Sequence, residues 1–201
     1  MKGLKFVLFV LAVTLTIGLC DDRPADACVG KALHIGSTGT PQQQLLAQLL
    51  GILISERTGT SVEIVQVAGH AAAHEALLRA DLDMYVEYTG ISQVQILGGT
   101  PIADQAALYK TVKDRYNQEL NLVWLEPLGF NNAQLAPAGT VAEAAPVVRK
   151  DTLKKFPALA RLLNKLAGTI DLATMQKLEA KAAGENAREV ARRYLKENRF
   201  I

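Results

Sequence analysis

Polar and apolar positions change period several times along this chain, and each change marks an element. Residues 31–36 (Lys-Ala-Leu-His-Ile-Gly) read as a short buried strand that runs into the polar turn Ser37-Thr38-Gly39-Thr40. Pro41 suits the first turn of a helix, because its missing N–H would be unpaired there in any case. From Pro41 to about Thr58 the residues Leu45, Leu46, Leu49, Ile52 and Leu53 recur at helical spacing on one face, and Gly59 ends the run. Residues 61–67 (Ser-Val-Glu-Ile-Val-Gln-Val) alternate with period two and predict a second strand, followed by Ala68-Gly69 and an alanine-rich helix over 70–80. Residues 81–88 predict a third strand. This βαβαβ order, joined by helical crossovers and short turns, argues for a parallel sheet covered on both faces.

Beyond Gly90 the pattern predicts a short helix, the turn Gly98-Gly99-Thr100-Pro101, a longer helix from about Ala103 to Glu119 and a fourth strand at residues 122–125. Residues 133–144 are small and weakly patterned, contain Pro137 and Gly139, and carry no large apolar anchor after Leu135, so they read as a linker. From Pro146 onward the expectation is a strand remnant and then helices at about 153–166, 171–183 and 187–198. Thr169 or Asp171, and then Glu185 or Asn186, supply the N-caps. The fold class expected is α/β: a mostly parallel sheet flanked by helices, with a helical C-terminal part.

Residues 1–19 stand apart from this fold. Lys2 and Lys5 precede an apolar stretch from Phe6 to Leu19, which has the form of an export signal and is too short for a stable membrane span. Two ends compete: Ile17-Gly18-Leu19-Cys20 resembles a lipoprotein box, and Ala25-Asp26-Ala27 resembles an ordinary peptidase site. Residues 20–30 then form a tether, in which a Cys20–Cys28 disulfide would close too short a loop to do much for the fold. The expected location is the periplasm or cell envelope, with any membrane contact made through the signal or a lipid on Cys20.

The net charge of +2 hides a division along the chain. Residues 20–148 hold 7 basic and 14 acidic side chains, whereas 149–201 hold 13 and 6. In the basic part the charges alternate with Leu, Ala, Glu and Asp at helical spacing and lack aromatic platforms, so solvated helices are expected rather than a nucleic-acid partner.

Several segments, taken in order, resemble the glycine betaine, carnitine and choline substrate-binding proteins of ABC importers. They are His34-Ile35-Gly36-Ser37, Glu75-Ala76-Leu77 before Asp81-Leu82-Asp83, Tyr85-Val86-Glu87-Tyr88-Thr89-Gly90 and Trp124-Leu125-Glu126-Pro127-Leu128-Gly129-Phe130-Asn131-Asn132. The series continues with Ala145-Pro146-Val147-Val148-Arg149-Lys150, Leu166-Ala167-Gly168-Thr169-Ile170-Asp171 and Met175. The resemblance implies a periplasmic-binding-protein-like (type II) fold, transport of a small quaternary-ammonium ligand and an ABC permease subunit as partner. It also implies a second lobe between the Gly-Phe-Asn-Asn and Ala-Pro-Val-Val stretches. A lobe needs on the order of 100 residues, so the linker at 133–144 replaces it, and residues 31–201 are expected to form one lobe.

A trimethylammonium group offers no hydrogen-bond donor, so it is held by ring faces, while a ligand carboxylate needs N–H or cationic partners. By the resemblance, Tyr88 is one wall of such a box; read from the chain alone, it is equally a strand-end tyrosine packed beside a turn. Ser37, Thr38, Thr89 and Gly90 complete the candidate ligand-binding set, and the turn Gly36-Ser37-Thr38-Gly39 could offer free N–H groups to a carboxylate. Two departures from the family pattern remove polar contacts: Thr38 stands where a lysine is usual, and Ile91 where a small hydroxyl is usual. With the opposing walls missing, weak or absent binding by a monomer is expected; the alternative is a partner-docking or self-assembling module, such as a homodimer, in which another chain supplies the wall. His70 and His74 share a helical i, i+4 spacing, but no third ligand and no His-Glu-x-x-His motif accompanies them, so no metal is expected. No cofactor motif and no catalytic Ser/His/Asp or Cys/His pattern stands out, and no enzyme activity is expected.

Overall fold

The computed structural model describes residues 32–201; the expected export signal at 1–19, the expected tether at 20–30 with Cys20 and Cys28, and Lys31 lie outside them. Strand β1 (Leu33–Ser37) leads into helix α1 (Pro41–Thr58), then β2 (Val62–Gln66), α2 (His70–Leu78) and β3 (Met84–Tyr88). A short helical segment α3 (Thr89–Ile91) passes into a π-turn at Ser92–Ile96, followed by α4 (Gln105–Glu119) and β4 (Leu122–Trp124). After a 3-10 turn at Ala133–Leu135 come β5 (Ala144–Arg149), α5 (Lys150–Lys155), α6 (Leu159–Leu163), α7 (Leu172–Ala182) and α8 (Ala187–Glu197).

The strands form one sheet in the order β2-β1-β3-β5-β4. β1 pairs in parallel with β2 and β3, while β5 runs antiparallel to both β3 and β4. The strand remnant expected near Pro146 is thus a full interior strand, hydrogen-bonded on both sides. Its sense follows from its connection: β4 and β5 are joined at one edge without a crossover, so β5 must run back. A proline inside a central strand ordinarily costs a ladder bond. Pro146 pairs with Val86 on one side, and on the other its carbonyl accepts from the Leu125 N–H at 2.9 Å, one residue past the last β4 pair. Its missing donor therefore falls where the ladder is already ending.

Caps define the helix ends. The Thr40 hydroxyl accepts from the Gln43 N–H, and Gly59 closes α1 in the left-handed region at φ 69°, where a Cβ would be strained. Asp104, Asp171 and Asn186 cap α4, α7 and α8 through their side chains. The helix expected over 153–166 is instead α5, α6 and a 3-10 turn, because Pro157 has no N–H to continue the ladder. Asp83 fastens β3 to its surroundings, accepting from the His34 N–H at 2.9 Å and the Thr152 hydroxyl at 2.6 Å.

The sheet carries a core on each face. One is built by α1 with α6, α7 and α8 over Leu33, Ile35, Met84, Val86 and Val148; the other by α2 and α4 over Tyr85, Leu122, Trp124 and Val147. α1 is buried more widely than its single apolar face suggested: Leu50 and Ile54 are as enclosed as Leu45 and Leu49. The reason is that the C-terminal helices cover the side turned away from the sheet. Among the described residues no helix is long and apolar enough to cross a membrane.

Ala80, just past α2, is held at φ 69° in a turn where the Asp81 N–H reaches back to the Ala76 carbonyl. Glycine adopts this conformation without a Cβ clash. Ala80→Gly should therefore raise unfolding free energy by about 0.5–1 kcal/mol in urea titrations.

Candidate functional site

The carboxyl ends of β1 and β3 meet the first turns of α1 and α2 along one edge of the sheet, the place where open α/β sheets hold ligands. All five residues expected to bind ligand gather near this edge, and four of them are buried. Ser37, Tyr88 and Thr89 are each 0% exposed, and Gly90 is enclosed. Thr38 is half-buried, and its Oγ1 is out of reach of solvent and without a hydrogen-bond partner.

Tyr88 lies on the α1 face of the sheet with its ring packed edge-on against His70, centroids 5.7 Å apart. Its hydroxyl donates to Gln42 Oε1. The same oxygen accepts from Asn132 Nδ2 at 3.0 Å, while Gln42 Nε2 donates to Glu179 Oε1 at 3.0 Å. One amide thereby joins α1, β3, the stretch before the 3-10 turn and α7. Burial pushes the Tyr88 phenol well above its ordinary range.

Thr89 and Gly90 are covered by the returning chain. The Thr89 N–H donates to the Glu143 carbonyl at 3.0 Å, and its hydroxyl donates to the Val141 carbonyl at 3.3 Å and accepts from the Glu143 N–H at 3.1 Å. A Cβ on Gly90 would stand 2.4 Å from Thr140 Oγ1, 2.5 Å from the Val141 carbonyl oxygen and 3.0 Å from Pro137 Cδ. The stretch read as a linker is therefore seated on the Thr-Gly motif, held at its base by an antiparallel bridge between Asn131 and Glu143. Glu143 is itself mostly buried; burial lifts its carboxyl above the usual range, against the Gln105 amide that donates to it at 2.7 Å.

Glu87, one residue before Tyr88, is 0% exposed and points to the opposite face. Its Oε1 accepts from the Tyr88 N–H at 2.7 Å and lies 2.8 Å from His70 Nδ1, whereas Oε2 has no hydrogen-bond partner. The His70 ring N–H is poorly aligned on the carboxylate despite that short distance. Burial alone would lower the His70 pKa, but Glu87 more than offsets this and the net shift is upward. His74 packs instead against Tyr116, with centroids 5.5 Å apart, and burial lowers its pKa. The two histidines thus serve different neighbours, and among the described residues no group of three metal-ligating side chains assembles.

Sequence reasoning did not single out Gln42, Asn132, Glu143 or the contacts of Thr140 and Val141. Asn132 and Glu87 stood inside quoted motifs, but nothing local marks Gln42, a polar residue in the first turn of an ordinary helix.

Comparison with known proteins places these features in context. The family model described as the substrate binding domain of ABC-type glycine betaine transport system matches residues 31–136 and 135–197, two stretches that meet inside the 133–144 segment. A carnitine transport binding protein of Listeria monocytogenes serotype 1/2a (strain 10403S) is 26% identical over 179 residues, covering 86% of this chain and 55% of that protein. An ergothioneine transport permease/ergothioneine binding protein of Helicobacter pylori (strain G27) is 34% identical over 110 residues, 54% of this chain and 20% of that protein. The chain thus spans about half the length of the first relative and a fifth of the second. A crystal structure described as a glycine betaine/carnitine/choline ABC transporter superposes with a TM-score of 0.78 at 16% identity, covering 85% of this chain and 98% of that one.

Two measurements test the geometry. Gln42→Leu leaves the buried Tyr88 hydroxyl without its acceptor and should cost about 1–3 kcal/mol, part of which returns when Tyr88→Phe is added, in a double-mutant cycle by urea unfolding. For His70, a raised folded pKa contributes stability that is fully present below the unfolded value of 6.5 and is lost as pH rises through the folded value. For His74, the lowered pKa costs stability as pH falls from 6.5 through the folded value. Unfolding midpoints followed across this range should show His70→Gln flattening the alkaline loss and His74→Gln the acid one.

Proposed function

The chain belongs to the family of substrate binding domains of ABC-type glycine betaine transport systems, and on that premise we propose that it is a substrate-binding component, reduced to one lobe, of an importer for quaternary-ammonium osmoprotectants such as glycine betaine or choline. As a lone copy it binds such a ligand weakly or not at all, catalyses no reaction, and works beside an ABC permease subunit after export to the periplasm or cell envelope. The type II binding-protein fold, the family match and the substrates for which the relatives are named, carnitine and ergothioneine, support the transport reading. The break between the two matched stretches at 135–136 supports the loss of a lobe at 133–144.

The observation that carries weak binding is the seating of Pro137, Thr140 and Val141 on Gly90. It leaves no room for a ligand over the Thr-Gly motif, and Tyr88 beside it turns no ring face to solvent. One ring would contribute only about 0.5–1 kcal/mol even if it were exposed, whereas millimolar affinity needs about 4 kcal/mol. A self-assembling module would need an exposed apolar face. The large apolar side chains about half exposed among the described residues are Leu78 on α2 and Leu172 on α7, which lie on opposite faces of the sheet. The lone lobe is therefore the reading we favour.

Titration calorimetry with glycine betaine and with choline should give no saturation below about 1 mM. Micromolar binding to a monomer, verified by size exclusion in the same buffer, would overturn this reading.

A further inference from the structure

His70 is the first residue of α2 and reaches over the carboxyl end of β3, with its side chain 18% exposed. Nδ1 lies 2.8 Å from Glu87 Oε1, and the ring packs edge-on against Tyr88. Little else holds the first turn of this helix. Gly69 supplies no side-chain cap, a Cβ there would meet nothing within 4 Å, and Ala71 is exposed. Ala73, Ala76 and Leu77, further along, are buried in the core. The helix dipole opposes a cation at this end, so Glu87 is what makes a charge on His70 tenable. Around the pair stand Tyr85 and Tyr88 of β3, His74 and Glu75 of α2, and Tyr116 of α4. Burial pushes the three phenols up and keeps them neutral, His74 is held below its ordinary pKa, and Glu75 is exposed beside Arg79. Among the described residues Glu87 is therefore the charged partner of His70.

We propose that the His70–Glu87 pair is a pH-sensitive latch: protonated His70 holds the first turn of α2 closed over the end of β3, and loss of the proton releases residues 68–72, with Gly69 as the hinge. Neutral His70 leaves Glu87, 0% exposed, with the Tyr88 N–H as its hydrogen bond and Oε2 unpaired. A buried carboxylate so poorly matched is costly, and lifting the turn admits water to it. The direction follows from linkage. In a released turn His70 titrates near its ordinary 6.5, and in the closed turn it titrates higher. Opening is therefore least favoured below pH 6.5, rises as pH passes through the closed-state value and is constant above it. Because Ala73, Ala76 and Leu77 stay anchored, the opening is local and separate from global unfolding.

The test is amide hydrogen exchange followed by NMR across the titration of the His70 ring, with each rate divided by its intrinsic value at that pH. The Ala73 N–H donates to the Gly69 carbonyl at 2.9 Å and lies, with the His74 N–H, where the first turn closes. Protection at these two amides should fall about fivefold or more through the His70 midpoint, while Leu77 and Ile35 keep theirs. His70→Ala should leave both amides at the alkaline level throughout, with no pH dependence. Unchanged protection of Ala73 and His74 across the midpoint, the same pH dependence in His70→Ala, or a parallel loss at Leu77 and Ile35 would each overturn the proposal.

Discussion

The antiparallel pairing of β5 with β3 is the constraint on which the rest of the molecule depends. Five residue pairs from Met84–Val148 to Tyr88–Ala144 join the parallel half of the sheet to β4, and β4 with α4 completes the second core. Because β5 begins at Ala144, opposite the end of β3, the chain entering it must pass Thr89 and Gly90. The hydrogen bonds between Thr89 and Glu143 extend the same pairing by one step. Sheet formation and the covering of the Thr-Gly motif are therefore one event.

That coupling explains why the end of β3 lies in the interior. In an open edge Tyr88 would present a ring face. Here its hydroxyl is committed to Gln42, whose carbonyl oxygen also receives Asn132. A buried hydroxyl without an acceptor is costly, so Gln42 makes the enclosed position of Tyr88 tenable. Glu87 on the opposite face has a similar need, met on one side by the Tyr88 N–H and the His70 ring. Strand β3 thus carries apolar packing in its middle and polar commitments at its end.

The division of charge along the chain acquires a spatial meaning in the same structure. The acidic part builds the sheet and its first helices, and the basic part lies on α1 as α6, α7 and α8. Arg192 reaching Glu56, and Arg57 donating to the Phe200 carbonyl at 2.7 Å, join the two across that interface. Exposed ion pairs of this kind contribute little to stability; burial of α1 between sheet and helices does most of the holding.

The order and type of most elements, and the family, are legible in the order of the amino acids alone. Periodicity placed α1 and β2 closely, Gly59 and Asp171 acted through their own neighbours, and the ordered motifs carried the resemblance. These signals work over a few residues, where backbone geometry and capping are decided. Where distant segments meet is set by the packing of the folded molecule. Pro146 and its small neighbours looked like a remnant because neither their size nor their period reveals two flanking strands. Tyr88 and Gln42 are 46 positions apart, and Gln42 and Asn132 are 90 apart. The sealing of Gly90 by Thr140 and Val141 depends likewise on which surfaces pack, a choice made by the burial of the whole core.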